Sequence, residues 1–137
     1  MKVLIDTNII LDFCLSRERA IFSKQIFKAV EDFKIVGVIA SQSIPTIYFY
    51  LKKELSHVES VSFIKSLTSK FIIGELTEKV IKESIELKFN DFEDALIAVT
   101  ALHNNCDYII SNNVSDFKKS HVKTVTSEYY CKNILKS

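Results

Sequence analysis

Lys2-Val3-Leu4-Ile5-Asp6-Thr7-Asn8-Ile9-Ile10-Leu11-Asp12 is the stretch on which the fold turns. A short apolar run stops at an aspartate, and apolar residues then recur at helical spacing. The pattern predicts a buried strand over residues 3–5, with Asp6 at its carboxyl end, and a short helix over 9–15. In open α/β sheets ligands bind outside that edge.

The arrangement recurs further along the chain. Asp91-Phe92-Glu93-Asp94 opens a strongly apolar helix over 91–104, and Asn113 and Asp116 follow the strand-like Tyr108-Ile109-Ile110. Between these lie helices predicted over 19–33, 44–55, 57–67 and 77–87, the last with Thr77 as N-cap, and strands over 35–40 and 71–73. A short edge strand over 122–125 and a closing helix over 127–135 complete the reading. Strands separated by helices imply a parallel sheet covered on both faces. The run Ala95-Leu96-Ile97-Ala98-Val99-Thr100-Ala101-Leu102 is apolar nearly all round and belongs in the core.

Composition removes several function classes. At 137 residues, 47% of them apolar, the chain is long enough to bury a core, and residues 1–137 are expected to form a single domain. Two glycines, Gly37 and Gly74, are too few for a P-loop or a G-x-G-x-x-G turn, and there is no G-x-S-x-G elbow. Cys14, Cys106 and Cys131 are an odd number without a C-x-x-C pair, so free thiols are expected rather than a disulfide framework or zinc site. A formal net charge of +1 carries no global signal for nucleic acid. No apolar run reaches the ~18 residues of a membrane span, and the opening residues do not read as a signal peptide. No membrane association and a cytoplasmic location are expected.

Taken singly, each acid has an ordinary role. Asp6 can cap a helix, Asp91 and Glu93 suit the positive end of one, and Asn113 and Asp116 suit a turn. Asp94 fits less well, because it abuts the buried run, where an uncompensated carboxylate is costly. Taken together, oxygen donors gathered at one sheet edge without a Cys/His set suit Mg²⁺ or Mn²⁺. Such ions activate water and stabilise in-line displacement at phosphorus. Asp12 is expected to support Asn8 or face water, and His57, His103 and His121 have no partner motif. Arg17, Arg19, Lys52, Lys53, Lys118 and Lys119 are the candidates for phosphate-backbone contacts, with Tyr48 and Tyr50 for base stacking.

Val3-Leu4-Ile5-Asp6-Thr7-Asn8, Asp91-Phe92-Glu93-Asp94-Ala95-Leu96 and Asp107-Tyr108-Ile109-Ile110-Ser111-Asn112-Asn113-Val114-Ser115-Asp116-Phe117, in this order, resemble the PIN-domain nucleases, in particular the VapC-type toxins of toxin–antitoxin pairs. The resemblance implies a three-layer α/β/α sandwich with a parallel sheet of about five strands. It also implies metal-dependent endonucleolytic cleavage of RNA with Mg²⁺ or Mn²⁺ as cofactor. Asp6 and Asp94 correspond to the family's most characteristic acids, the loop after the fourth strand offers Asn113 or Asp116 as the remaining ligand, and Asp6, Asp94 and Asp116 are the expected catalytic acids. Asp91 and Asn113 complete the expected metal set, and Asn8 and Thr46 are expected in support. A small antitoxin and a homodimer are the implied partners. The chain departs from the family where an acid normally opens the helix after the second strand. Here Ser41-Gln42-Ser43-Ile44-Pro45-Thr46-Ile47-Tyr48 has no carboxylate, and Thr46 takes that position. The alternative is a catalytically weak PIN-like module that binds RNA or protein. A phosphotransferase of the haloacid dehalogenase type expects an Asp at position 8, where this chain has Asn8.

Overall fold

The computed structural model describes residues 1–18 and 20–135. Five strands, β1 (Lys2–Ile5), β2 (Val36–Ala40), β3 (Ile72–Gly74), β4 (Tyr108–Ile110) and β5 (Lys123–Val125), form one sheet in the order β3-β2-β1-β4-β5. Every pairing is parallel. The chain leaves β1 toward β2 and β3, then returns to the other flank for β4 and β5. The topological switch therefore lies between β1 and β4, the place where such sheets bind ligands.

Both faces of the sheet are covered, as alternation along β1 requires. Val3 and Ile5 join Ile39, Ile110 and Val125 in a core that includes Ile9, Ile10, Ile26, Ile47 and Leu67. These side chains come from α1 (Thr7–Cys14), α2 (Ala20–Glu31), α3 (Ser43–Leu51) and α4 (His57–Lys70). Leu4 points the other way, with Val38, Ala40 and Ile109, onto Ile97, Ala98 and Ala101 of α6 (Phe92–His103). Outside α6, α5 (Glu78–Glu86) packs Val80 against Leu96 and Val99. Each fully buried Leu or Ile contributes roughly 1.5–3 kcal/mol of transfer free energy. Gly74 lets α6 approach the sheet, since a Cβ there would lie 2.5 Å from Thr100 Cγ2.

Element boundaries show where local chemistry overrides periodicity. The first helix starts at Thr7, before the apolar pattern, because Asp6 caps it. The helix predicted to reach Phe33 ends at Glu31; Phe33 is left-handed at φ 59° and terminates the turn by donating to the Val30 carbonyl. The helix predicted to 55 ends at Leu51. Ser56 and Glu59 then form a capping box that starts α4. The closing helix is a single turn, α7 (Ser127–Tyr129), continued as a π-turn over Tyr130–Ile134 around the fully buried Tyr130. Cys14, Cys106 and Cys131 are all free. No helix among the described residues is long and apolar enough to cross a membrane.

Candidate metal and phosphate site

Asp6 is the best defined member of the carboxyl edge. Its backbone N–H donates to the Ile110 carbonyl at 3.0 Å, continuing the β1–β4 ladder one residue beyond the strand. One carboxylate oxygen accepts from the Thr7 N–H at 2.8 Å, and the other accepts from the Ser111 hydroxyl at 2.8 Å. The side chain is thus both helix cap and site residue, and its residue is only 7% exposed. Burial above all raises its pKa over the ordinary 3.8, the hydrogen bonds from Ser111 and Thr7 pull it back, and Asp116 repels the charged form.

Asp94 stands in the first turn of α6, and Asp91 is that helix's N-cap, accepting from the Asp94 N–H at 3.2 Å. Burial, then repulsion from Asp91, Asp6, Asp116 and Glu93, pushes Asp94 up to about 6. Asp116 lies in the 3₁₀ turn Val114–Phe117 that follows β4. A cleft of about 160 Å³ takes Asp91, Asp94 and Asp116 into one lining with Lys118 and Lys119. Three chain segments therefore bring Asp6 and Asp116 close enough to oppose ionisation of Asp94, and Asp116 close enough to oppose that of Asp6.

The donor set is all oxygen, and none of the ion pairs among the described residues involves Asp6, Asp91, Asp94 or Asp116. Among the described residues, no three His, Cys, Asp or Glu side chains converge as a ready-made cage. All-oxygen donors are the chemistry of a hard cation, and without such a cage one would have to keep waters or take substrate oxygens in its shell.

The other expected residues divide. Asn113 precedes the 3₁₀ turn and is exposed; its N–H donates to Ser111 Oγ at 3.1 Å, and its side chain forms no cap. Asn8 is exposed in the first turn of α1, and Thr46 is half-buried inside α3. Of the two roles expected of Asp12, supporting Asn8 or facing water, its burial corrects the second. It is buried, with Arg17 at 3.7 Å and the Asn112 amide donating at 3.5 Å. Arg17 is therefore engaged with Asp12, and Arg19 lies outside the described residues. Lys119 lines the cleft, but its ammonium donates to the Lys88 carbonyl at 2.7 Å. Lys53 lies over the rings of Phe49 and Tyr50 beyond the far end of α3, and Tyr48 bonds His57 Nδ1 at 2.8 Å. Lys52, Lys53, Tyr48 and Tyr50 do not line the acidic cleft.

Ser111 and Ser43 are the residues that sequence reasoning missed. Ser111 is fully buried beside Asp6, and Ser43 accepts from the Thr7 hydroxyl at 2.8 Å at the start of α3. The register pairs Ile5 with Ile110. Once β1 and β4 are known to be neighbours, Asp6 must therefore face Ser111.

Known proteins carry the same architecture. A relative named Ribonuclease VapC1, from Aquifex aeolicus strain VF5, is 29% identical over 136 residues, spanning 95% of this chain and 93% of its own length. Among solved structures, a toxin–antitoxin complex from Klebsiella pneumoniae aligns at 24% identity with a TM-score of 0.69, covering 91% of this chain and 97% of that one. VapBC2 from Rickettsia felis, bound to a promoter DNA fragment, aligns at 17% identity and 0.70, covering 92% and 98%. The sequence pattern of the PIN domain matches residues 2–115, from β1 through the loop that carries Asn113, and on that match this chain belongs to the PIN domain family.

Proposed function

We propose that this chain is a divalent-metal-dependent endoribonuclease, the toxin of a toxin–antitoxin pair, acting in the cytoplasm as a single domain. The observation that carries the reading is the concentration of negative charge where Asp91, Asp94 and Asp116 line one cleft and Asp6 ends β1 at the switch point of the sheet. Ion pairs do not compensate it among the described residues, so the cluster calls for a cation from outside. A PIN-type relative named a ribonuclease and neighbours that are toxin–antitoxin complexes support the substrate and partner.

Asp6, Asp94 and Asp116 would hold Mg²⁺ or Mn²⁺, with Asp91 and Asn113 close by. When bound, the ion supplies Lewis acidity toward a phosphodiester oxygen and lowers the pKa of water. The Ser111 hydroxyl fixes the direction of the Asp6 carboxylate, as outer-shell donors do. Lys118, lining the same cleft, offsets the charge of the RNA backbone. A basic side chain of the antitoxin can take the cation's place against the acids. Phe49, Val58 and Val61 on α3 and α4 are exposed and form the face for a homodimer.

The second reading, a weak PIN-like binding module, is favoured by two observations. No ready-made cage is present among the described residues, and Thr46 stands where the family has an acid. Purified protein incubated with RNA in Mg²⁺ or Mn²⁺ separates the two. Endonucleolytic products that vanish in EDTA and in Asp6→Asn support the nuclease. RNA left intact by wild-type protein in both metals supports the module.

A further inference from the structure

The acidic cleft has two lining residues that hydrolysis does not use. Beside Asp91, Asp94 and Asp116 it is lined by Phe89 and Asn90, from the connection between α5 and α6. Phe89 is half-buried, packs against the α6 side of the core, and meets the Phe117 ring edge-on at 6.4 Å and 75°. Its ring is therefore held against Phe117, and the residue lines the cleft. Asn90 is exposed, and its carboxamide is absent from the hydrogen bonds of the described residues.

The segment carrying this pair is pinned on both sides. Lys88 holds a left-handed φ of 53°, an unfavourable conformation for a residue with a Cβ, and its carbonyl is gripped by Lys119. On the other side Asn90 runs directly into Asp91, whose backbone is set by capping α6. Lys88 follows the C-cap of α5, where a left-handed residue ends the helix, so both ends of the segment are set by helix termini.

We propose that Phe89 and Asn90 form a base-reading wall, where one unstacked RNA base beside the scissile phosphate stacks on Phe89 and meets the Asn90 carboxamide with its edge. The inference rests on the ribonuclease reading for the identity of the ligand. Single-stranded RNA is read in this way, by aromatic stacking and by hydrogen bonds to exposed base edges. A carboxamide presents donor and acceptor side by side, the complement of a base edge. Phe89 and Asn90 share one cavity with the acids and Lys118, so a base held by the pair would belong to the nucleotide at the acidic site.

The test is equilibrium binding of the four RNA homo-octamers, A, C, G and U, with Ca²⁺ replacing Mg²⁺, for wild type, Asn90→Ala and Phe89→Leu. Wild type is expected to separate its best from its worst base by about tenfold, the scale of one paired edge contact. Asn90→Ala should narrow that to within about twofold, and Phe89→Leu, which keeps apolar bulk, should weaken the favoured octamer by about tenfold through lost stacking. Equal binding of all four octamers by wild type overturns the proposal. So does an unchanged ranking in Asn90→Ala, or a Phe89→Leu protein with a lowered melting temperature but wild-type affinities. Cleavage of mixed-sequence RNA in Mg²⁺ is read separately. Cutting with no base preference sinks the base wall and leaves the nuclease standing; base-selective binding without cutting does the reverse.

Discussion

Asp6 caps the short helix that carries Asp12, and the two are almost equally buried in opposite surroundings. Asp12 faces Arg17 and the Asn112 amide, and Asn112 in turn accepts from the N–H and hydroxyl of Ser127. This polar chain ties α1, the β4 end and α7 together with opposite charges matched. Asp6 accepts only from neutral donors, Thr7 and Ser111, and looks toward Asp116 and Asp94. Burying a charge is tolerable when a partner is buried with it and costly otherwise. One carboxylate is therefore matched within the fold, and the other has no ion pair among the described residues, which suits the cation proposed above.

The comparison breaks first on activity. Asp94→Asn should lower RNA cleavage by on the order of a thousandfold, since a metal-site acid supplies several kcal/mol of transition-state stabilisation. Asp12→Ala should leave most of the cleavage per folded molecule. Single-turnover rates on one RNA check both, and similar losses at the two positions would erase the distinction.

Ser111→Ala sharpens it within the site. Removing the donor to Asp6 should cost cleavage roughly 10- to 100-fold, the usual cost of an outer-shell partner. A circular-dichroism melt should still show a folded protein. If Ser111→Ala cuts at the wild-type rate, the orientation of Asp6 does not matter to chemistry.

Stability gives the reverse order. Asp12→Ala leaves Arg17 without its carboxylate. A broken buried pair costs about 3–5 kcal/mol, less here because Arg17 reaches solvent, so about 2 kcal/mol and a melting temperature lower by roughly 5–10 °C are expected. A melt unchanged within error would show that the pair adds nothing.

The smallest effect concerns pH. Asp94 titrates near 6 in the fold against 3.8 in the open chain, and Asp6 is shifted in the same direction. Between these values the folded state binds more protons, so metal-free stability falls as pH rises through the window, and the loss is complete above about 6. Solvent screening at the partly exposed Asp94 limits its share to about 1 kcal/mol. Melts in EDTA at pH 5 and pH 7 should place the higher midpoint at pH 5. The opposite order would mean that the acids are not repelling one another.

Much of this was legible in the residues. Asp6 and Asp94 stood out because an apolar strand or helix pattern changes character beside each of them, Asp116 only through its place after a strand alongside those acids, and the sheet followed from strands alternating with helices. Ser111 was not legible, because a serine after a strand reads as a turn residue until β1 and β4 are known to be neighbours. The Asp12–Arg17 pair needed the reversal after α1, which the left-handed Ser16, at φ 50°, helps to make and periodicity does not show. Lys119 looked like a phosphate contact because sequence reveals its charge and not the Lys88 carbonyl that it meets. The π-turn around Tyr130 arises where burial of one large ring outweighs regular helix geometry, which propensity alone does not indicate.

The most direct test of the central claim is the thermal midpoint of wild type and Asp6→Asn at pH 7, each in EDTA and in Mn²⁺. Removing a buried, repelled charge should raise the metal-free midpoint of Asp6→Asn by a few degrees, on the order of 1 kcal/mol. Mn²⁺ should raise the wild-type midpoint and leave that of Asp6→Asn nearly unmoved. A wild-type protein indifferent to Mn²⁺, or an Asp6→Asn protein that melts lower in EDTA as Asp12→Ala does, would contradict the account.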